Sequence, residues 1–217
     1  KTEEGIQEAV KNCRDNGIEG LIVIGGDGSF RGARELSLRG IPCIGIPATI
    51  DNDISSTEYT IGFDTAMNTV VEVVDKLRDT ACSHDRCSVV EVMGHGAGDL
   101  AIQCGLAVGA TSIVIPEKGY NPEEIIEKIR STHKRGRNHF IIIVSEDLCD
   151  VRQLAKEIEN ATGIESRATI IGHVQRGGNP SLRDRVVASQ MGYAAVQLLN
   201  DGIGNRVVAL KDNKIVN

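Results

Sequence analysis

Apolar residues fall along this chain in two alternating rhythms. Short unbroken apolar or β-branched runs, bounded by Gly or Pro, separate longer stretches in which apolar positions return every three or four residues. Unbroken short runs are the pattern of strands buried on both faces, and the three-to-four spacing is that of amphipathic helices. The predicted strands are Leu21–Ile24, Cys43–Ile46, Ser88–Val92, Ser112–Ile115, Phe140–Val144, Ala168–Ile171 and Val207–Leu210.

The first predicted helix, Glu3–Asn16, places Ile6, Val10 and Cys13 on one face and ends before Gly17, a left-handed cap. A second begins near Phe30. A third, Asp64–Ala81, aligns Met67, Val70, Val71, Val74 and Leu77. Asn121-Pro122-Glu123-Glu124 opens a fourth with a cap, a first-turn proline and acids at the positive end of the dipole. Gln153–Ala161 and Leu182–Leu199 complete the set. Strands alternating with helices define an α/β fold, with largely parallel sheets flanked by helices.

Composition narrows the class without changing that picture. With 217 residues, 41% of them hydrophobic, the chain can bury one or two sizeable cores. No apolar run approaches the roughly 18 to 20 residues that span a bilayer, and Lys1-Thr2-Glu3-Glu4 lacks the apolar segment of a signal peptide. A cytoplasmic protein with no membrane partner is expected. A net charge of −6, 3% aromatic residues and no tryptophan argue against nucleic acid as a partner. The six cysteines are scattered without a C-x-x-C pair, the pattern of free, mostly buried thiols.

Chemistry is expected at the carboxyl ends of the strands, where open α/β sheets bind ligands. Gly25-Gly26-Asp27-Gly28-Ser29 follows the first strand and precedes a helix. Its glycines let the backbone approach an anion, the helix end supplies positive potential, and Asp27 can hold Mg²⁺ against phosphate oxygens. Alone, the motif also fits a tight turn. After the second strand comes Pro47-Ala48-Thr49-Ile50-Asp51-Asn52-Asp53. One carboxylate there can take a proton from an acceptor hydroxyl while the other assists a metal. An Asp-Asn-Asp run by itself is commonly an Asx-turn; the glycine loop one strand-helix unit upstream makes Asp51 a candidate for phosphoryl transfer.

Four motifs in order and register, Gly25 to Ser29, Thr49 to Asp53, Arg86 to Gly94 and Gly172-His173-Val174-Gln175-Arg176-Gly177-Gly178, resemble bacterial-type 6-phosphofructokinases. The resemblance covers essentially the whole chain. It implies transfer of the γ-phosphate of ATP to O1 of fructose 6-phosphate. Asp51 would be the base, with Gly26, Asp27, Gly28 and Ser29 on the nucleotide, and Asp27 and Asp53 on Mg²⁺. Thr49, Ile50, Met93, Gly94, His95, Glu146, His173, Val174, Gln175 and Arg176 would contact the sugar phosphate. Arg86 and Arg167 would reach across a subunit boundary, implying a homotetramer with shared active sites. Arg78, Arg135 and Arg137 would correspond to an effector cleft. The resemblance divides the chain into a nucleotide lobe, 1–62 and 175–217, and a sugar-phosphate lobe, 63–174. It also places a first strand, a glycine loop and a phosphate-bridging arginine upstream of Lys1.

The chain departs from the family at instructive positions. His95 stands where the family usually has arginine, and is shorter and only partly cationic near neutral pH. Thr111 replaces a glutamate that holds the effector's magnesium, so ADP activation should be weak or absent. Pyrophosphate-using members carry Asp at Gly28 and Lys at Ala48; both positions are small here, which favours ATP. A pyrophosphate-dependent enzyme and a non-catalytic sugar-phosphate-binding relative are the alternatives.

Overall fold

A computed structural model describes residues 2–217. The chain clusters into two compact units. The first runs to Thr49 and includes Ile54–Gly62 and Pro180–Asn217; the second comprises Ile50–Asp53 and Phe63–Asn179.

In the first unit, helix α1 (Glu3–Asp15) is capped by the Thr2 side chain and carries Glu3 and Glu4 in its first turn. Strands β1 (Leu21–Gly25) and β2 (Cys43–Pro47) pair in parallel, and β2 pairs in parallel with β7 (Arg206–Val207). Helix α2 (Asp27–Leu38) packs on β1 and β2, and α7 (Leu182–Asn200) packs on β2. Gly45 lets α2 close on the sheet, because an added Cβ would lie 2.7 Å from a ring carbon of Phe30 and 3.1 Å from Val207. Gly45→Ala is expected to destabilise the protein by about 1–3 kcal/mol, the usual range for overpacking. Equilibrium denaturation would measure it.

The predicted strand Val207–Leu210 is two pieces. After β7 the chain breaks from the sheet, and β8 (Ala209–Lys211) forms an antiparallel hairpin with β9 (Lys214–Val216). Asp212 and Asn213, at φ 50° and 58°, make the two-residue turn. Short polar side chains tolerate the left-handed conformation that such a turn requires.

The second unit holds a four-stranded parallel sheet in the order β4 (Ser112–Val114), β5 (Phe140–Ser145), β3 (Cys87–Val92), β6 (Ser166–Ile170). Cys87, Val89, Phe140, Ile142 and Val144 face a core with Ile125 and Ile129 of α5 (Pro122–Lys134) and Leu154 and Ile158 of α6 (Val151–Thr162). Helices α3 (Phe63–His84) and α4 (Asp99–Ala107) also pack on this sheet. Apolar strand runs are explained by helices that leave them no solvated face. Burial pushes the Cys87 thiol up to about 12, so it serves as packing rather than as a nucleophile.

Three further corrections to the sequence reading follow. Helix α4 was not predicted: Leu100, Ala101, Cys104 and Gly105 are buried while Leu106 is exposed, so no clean apolar stripe marks it. Helix α2 starts at Asp27 rather than near Phe30, which puts Asp27, Gly28 and Ser29 in its first turn. The return to the first unit occurs at Pro180 instead of 175, because the 3₁₀ turn Gly172–Arg176 packs on α3 and β3, and Ile50–Asp53 clusters with the second unit.

Candidate active site

The donor-side candidates gather at the carboxyl end of β1. Gly26, in extended conformation, is the residue before α2, and the N–H of Ala48 ties to Gly25 O at 3.0 Å. Asp27 is exposed, its carboxylate 2.6 Å from Arg31 one helical turn on. An acid in the first turn suits the helix dipole, and the same field favours a bound anion. A Cβ added at Gly28 would meet nothing within 4 Å, so space is open above the turn. Thr49 lies beside it, its Cβ 3.7 Å from a Cβ built on Gly26. Among the described residues no cluster of three or more His, Cys, Asp or Glu side chains is set to hold a metal. Asp27 therefore offers a single exposed carboxylate. That suits Mg²⁺, which commonly takes one or two carboxylates and fills its remaining positions with phosphate oxygens and waters.

Asp51 and Asn52 are half-buried and Asp53 is exposed. Asn52 adopts φ 53° and donates from Nδ2 to Asp99 Oδ2 at 3.2 Å, which anchors the tip of the loop to the start of α4.

The acceptor-side candidates lie at the carboxyl ends of β3 and β5. Met93, Gly94 and His95 follow β3, and each of their N–H groups meets a side-chain oxygen. Gln175 Oε1 accepts from Met93 at 3.1 Å, while Glu146 Oε1 accepts from Gly94 at 3.0 Å and from His95 at 2.8 Å. The Glu146 N–H in turn donates to Val92 O at 2.8 Å. Gly94 has no room for a side chain, since a Cβ would sit 2.6 Å from Ala97 O. His95 follows at φ 48° and is exposed. Behind this turn, burial and then the charges of Glu146, Asp147 and Asp150 hold the Glu91 carboxyl above its ordinary range.

Gln175 departs from expectation. Expected as a ligand contact, its side chain is 1% exposed and supports the Met93 turn from beneath. Its 3₁₀ neighbours His173, Val174 and Arg176 are all exposed.

Arg86 and Arg167 lie at the amino-terminal ends of β3 and β6, at the opposite end of the parallel sheet from those carboxyl ends. Arg86 immediately precedes β3, and Arg167 is the second residue of β6. β3 has six residues, and a strand of that length spans roughly 20 Å. The two arginines converge on Glu165, Arg86 Nε at 2.7 Å and an Arg167 terminal nitrogen at 2.5 Å. The bond from Arg86 leads in holding the Glu165 carboxyl below its usual range. Sequence reading passed over Glu165, although its position two residues before Arg167 in strand alternation was a visible signal.

Arg78 and Arg137 also converge. Arg78 donates to Val108 O, and Arg137 to Gly109 O at 3.4 Å, both on the turn between α4 and β4. Arg135 is exposed and Thr111 is buried. Burial, followed by the charges of Arg137 and Arg78, lowers the His139 pKa.

The profile of the phosphofructokinase family, "Phosphofructokinase", matches residues 1–199. The chain belongs to the phosphofructokinase family. It is 54% identical over 216 residues to the ATP-dependent 6-phosphofructokinase of Bacillus pumilus (strain SAFR-032), covering 100% of this chain and 68% of that protein. It is 55% identical over the same length to the ATP-dependent 6-phosphofructokinase of Brevibacillus brevis, again 68% of that protein. The solved phosphofructokinase of Pichia pastoris in the T-state superposes with TM-score 0.92 at 32% identity, over 99% of this chain and 28% of that one. A pyrophosphate-dependent phosphofructokinase from Marinobacter aquaeolei, at 24% identity and TM-score 0.85 over 99% of this chain and 60% of that one, shares the fold. Among the described residues no helix is long and apolar enough to cross a membrane.

Proposed function

We propose that the protein transfers the γ-phosphoryl group of ATP to O1 of fructose 6-phosphate, giving fructose 1,6-bisphosphate and ADP. The observation that carries this reading is the acidic, glycine-opened helix start at Gly26–Ser29 after β1, followed along the chain by Asp51 in the loop after β2, in a chain more than half identical to ATP-dependent 6-phosphofructokinases. Asp51 takes the proton of the acceptor hydroxyl. Gly26, Gly28 and Ser29 receive the donor phosphates at the positive end of α2. Asp27 would hold Mg²⁺, which when bound would neutralise phosphate charge, with Asp53 as the second candidate carboxylate.

Thr49, Ile50 and the Met93–His95 turn shape the acceptor site. Glu146 and Gln175 hold that turn by its N–H groups. His173 and Arg176, exposed on one 3₁₀ turn, grip the 6-phosphate with Val174 beside them, and a guanidinium can do so in bidentate fashion. Arg86 and Arg167, at the far ends of the strands, serve the site of a neighbouring subunit in a homotetramer. Glu165 keeps their forks oriented until that site is offered. Arg78, Arg135 and Arg137 form an effector cleft in which Thr111 provides no carboxylate for a metal, so ADP activates weakly or not at all. The protein works in the cytoplasm.

The donor assignment rests on Gly28 and Ala48, which leave room for the rest of a nucleotide beyond its terminal phosphates. A coupled assay on fructose 6-phosphate with ATP and with pyrophosphate tests it. Turnover with ATP at least about tenfold faster is expected, a difference of about 1.4 kcal/mol in barrier. Equal or faster turnover with pyrophosphate would contradict the assignment.

A further inference from the structure

The segment that carries Asp51 leaves the end of β2 and comes back to it. Ala48 and Ile61 form a parallel bridge, and the Ile61 N–H donates to Pro47 O at 2.9 Å. At this neck the Thr60 side chain is 0% exposed, and its Oγ1 donates to the carbonyl of Thr49 at 2.7 Å. On either side of Thr60, the Tyr59 hydroxyl and the Gly62 N–H both donate to Asp184 Oδ1, at 2.5 and 2.8 Å. Asp184 is 2% exposed in the first turn of α7, where its own N–H is capped by Ser181. Arg183 stacks over the Tyr59 ring at 4.5 Å.

We infer that Thr60 and Asp184 form a clasp that positions Asp51, and that they are positioning residues for the reaction. The inference rests on the assignment of Asp51 as the base. Thr49 lies two residues ahead of Asp51, and the direction of its carbonyl sets the course of the backbone entering Ile50 and Asp51. The Thr60 hydroxyl fixes that carbonyl, and Asp184 holds the Tyr59 side chain before Thr60 and the Gly62 backbone after it through two bonds to one buried oxygen. A buried carboxylate forms strong hydrogen bonds, and a locked anchor on a helix is stiffer than a loop partner. Misplacing a catalytic group by about 1 Å lowers turnover by about 10²-fold, so the clasp acts on kcat rather than on substrate affinity.

The test compares Thr60→Val, which keeps the shape and removes the hydroxyl, with Thr60→Ser, which keeps the hydroxyl, both in the whole protein. For Thr60→Val, kcat with ATP and fructose 6-phosphate is expected to fall about 10- to 100-fold, with KM for the sugar phosphate within about threefold. Thr60→Ser is expected to recover kcat to within about threefold of wild type. In an Asp51→Asn background, Thr60→Val should cost less than about twofold more, because coupled groups are non-additive. If Thr60→Val fails to fold, Tyr59→Phe removes one bond to Asp184 while keeping the ring under Arg183, and the same split is expected. Wild-type kcat in the clasp variant alongside a disabled Asp51→Asn enzyme would overturn the clasp. So would an equal loss in the Asp51→Asn background. Wild-type kcat in Asp51→Asn itself would instead overturn the base assignment beneath it.

Discussion

Asp51→Ser lowers kcat by at least about 10²-fold, the contribution typical of a positioned general base, while fructose 6-phosphate still binds measurably. Serine cannot accept the proton of the acceptor hydroxyl at neutral pH. Asn52, whose side chain holds the loop tip to Asp99, is untouched by the change. Steady-state kinetics together with equilibrium binding of the sugar phosphate separate the two quantities. A mutant as fast as wild type would remove Asp51 from the mechanism. Loss of sugar binding in proportion to the loss of rate would make it a ligand contact instead.

The second large effect is expected at Glu146. Its Oε1 receives the N–H groups of both Gly94 and His95, so Glu146→Ala removes two charge-assisted hydrogen bonds from the turn. Hydrogen bonds to charged groups contribute about 1.5–3 kcal/mol each, and every 1.4 kcal/mol is about tenfold in affinity. With roughly one bond's worth of that energy, about 1.4–2.8 kcal/mol, passed on to the sugar phosphate, KM for fructose 6-phosphate should rise about 10- to 100-fold, with a smaller change in KM for ATP. Glu146→Gln, which keeps an acceptor oxygen, should lie between Ala and wild type. An unchanged KM for the sugar phosphate in Glu146→Ala would show that this turn does not form the acceptor site.

How much of this was legible in the sequence depends on what each residue answers to. The core strands were legible because their neighbours on both faces are apolar: Phe140–Val144 was expected and Phe140–Ser145 is observed, flanked by β3 and β4. Helix α6 was similarly clear, its Leu154, Ala155 and Ile158 forming one buried face. Helix α4 was hidden because its small residues present no polar stripe, and β8 because Val207–Leu210 reads as one apolar run although the chain leaves the sheet after Val207. The start of α2 was set too late because glycines suggest a loop, whereas Gly26 alone supplies the extended residue before the helix.

The candidate site shows the same division. Residues proposed to meet a ligand stand out by type and position, as Asp27, Asp51 and Arg176 do. Residues that hold those residues do not, because their partners are distant in sequence. Asp184 lies 122 residues from Gly62, Glu146 lies 52 from Gly94, and Gln175 lies 82 from Met93. Only folding brings such pairs together. The sequence pattern could place Gln175 in a motif but could not show that its side chain turns inward beneath Met93.

The most direct test of the central claim follows the phosphoryl group itself. In a single turnover of the whole protein with γ-labelled ATP and fructose 6-phosphate, the label is predicted to appear on C1 of fructose 1,6-bisphosphate, one equivalent per ADP formed, and to be lost from that position in Asp51→Ser. Label released as inorganic phosphate, or found on the sugar at the wild-type rate in Asp51→Ser, would contradict it.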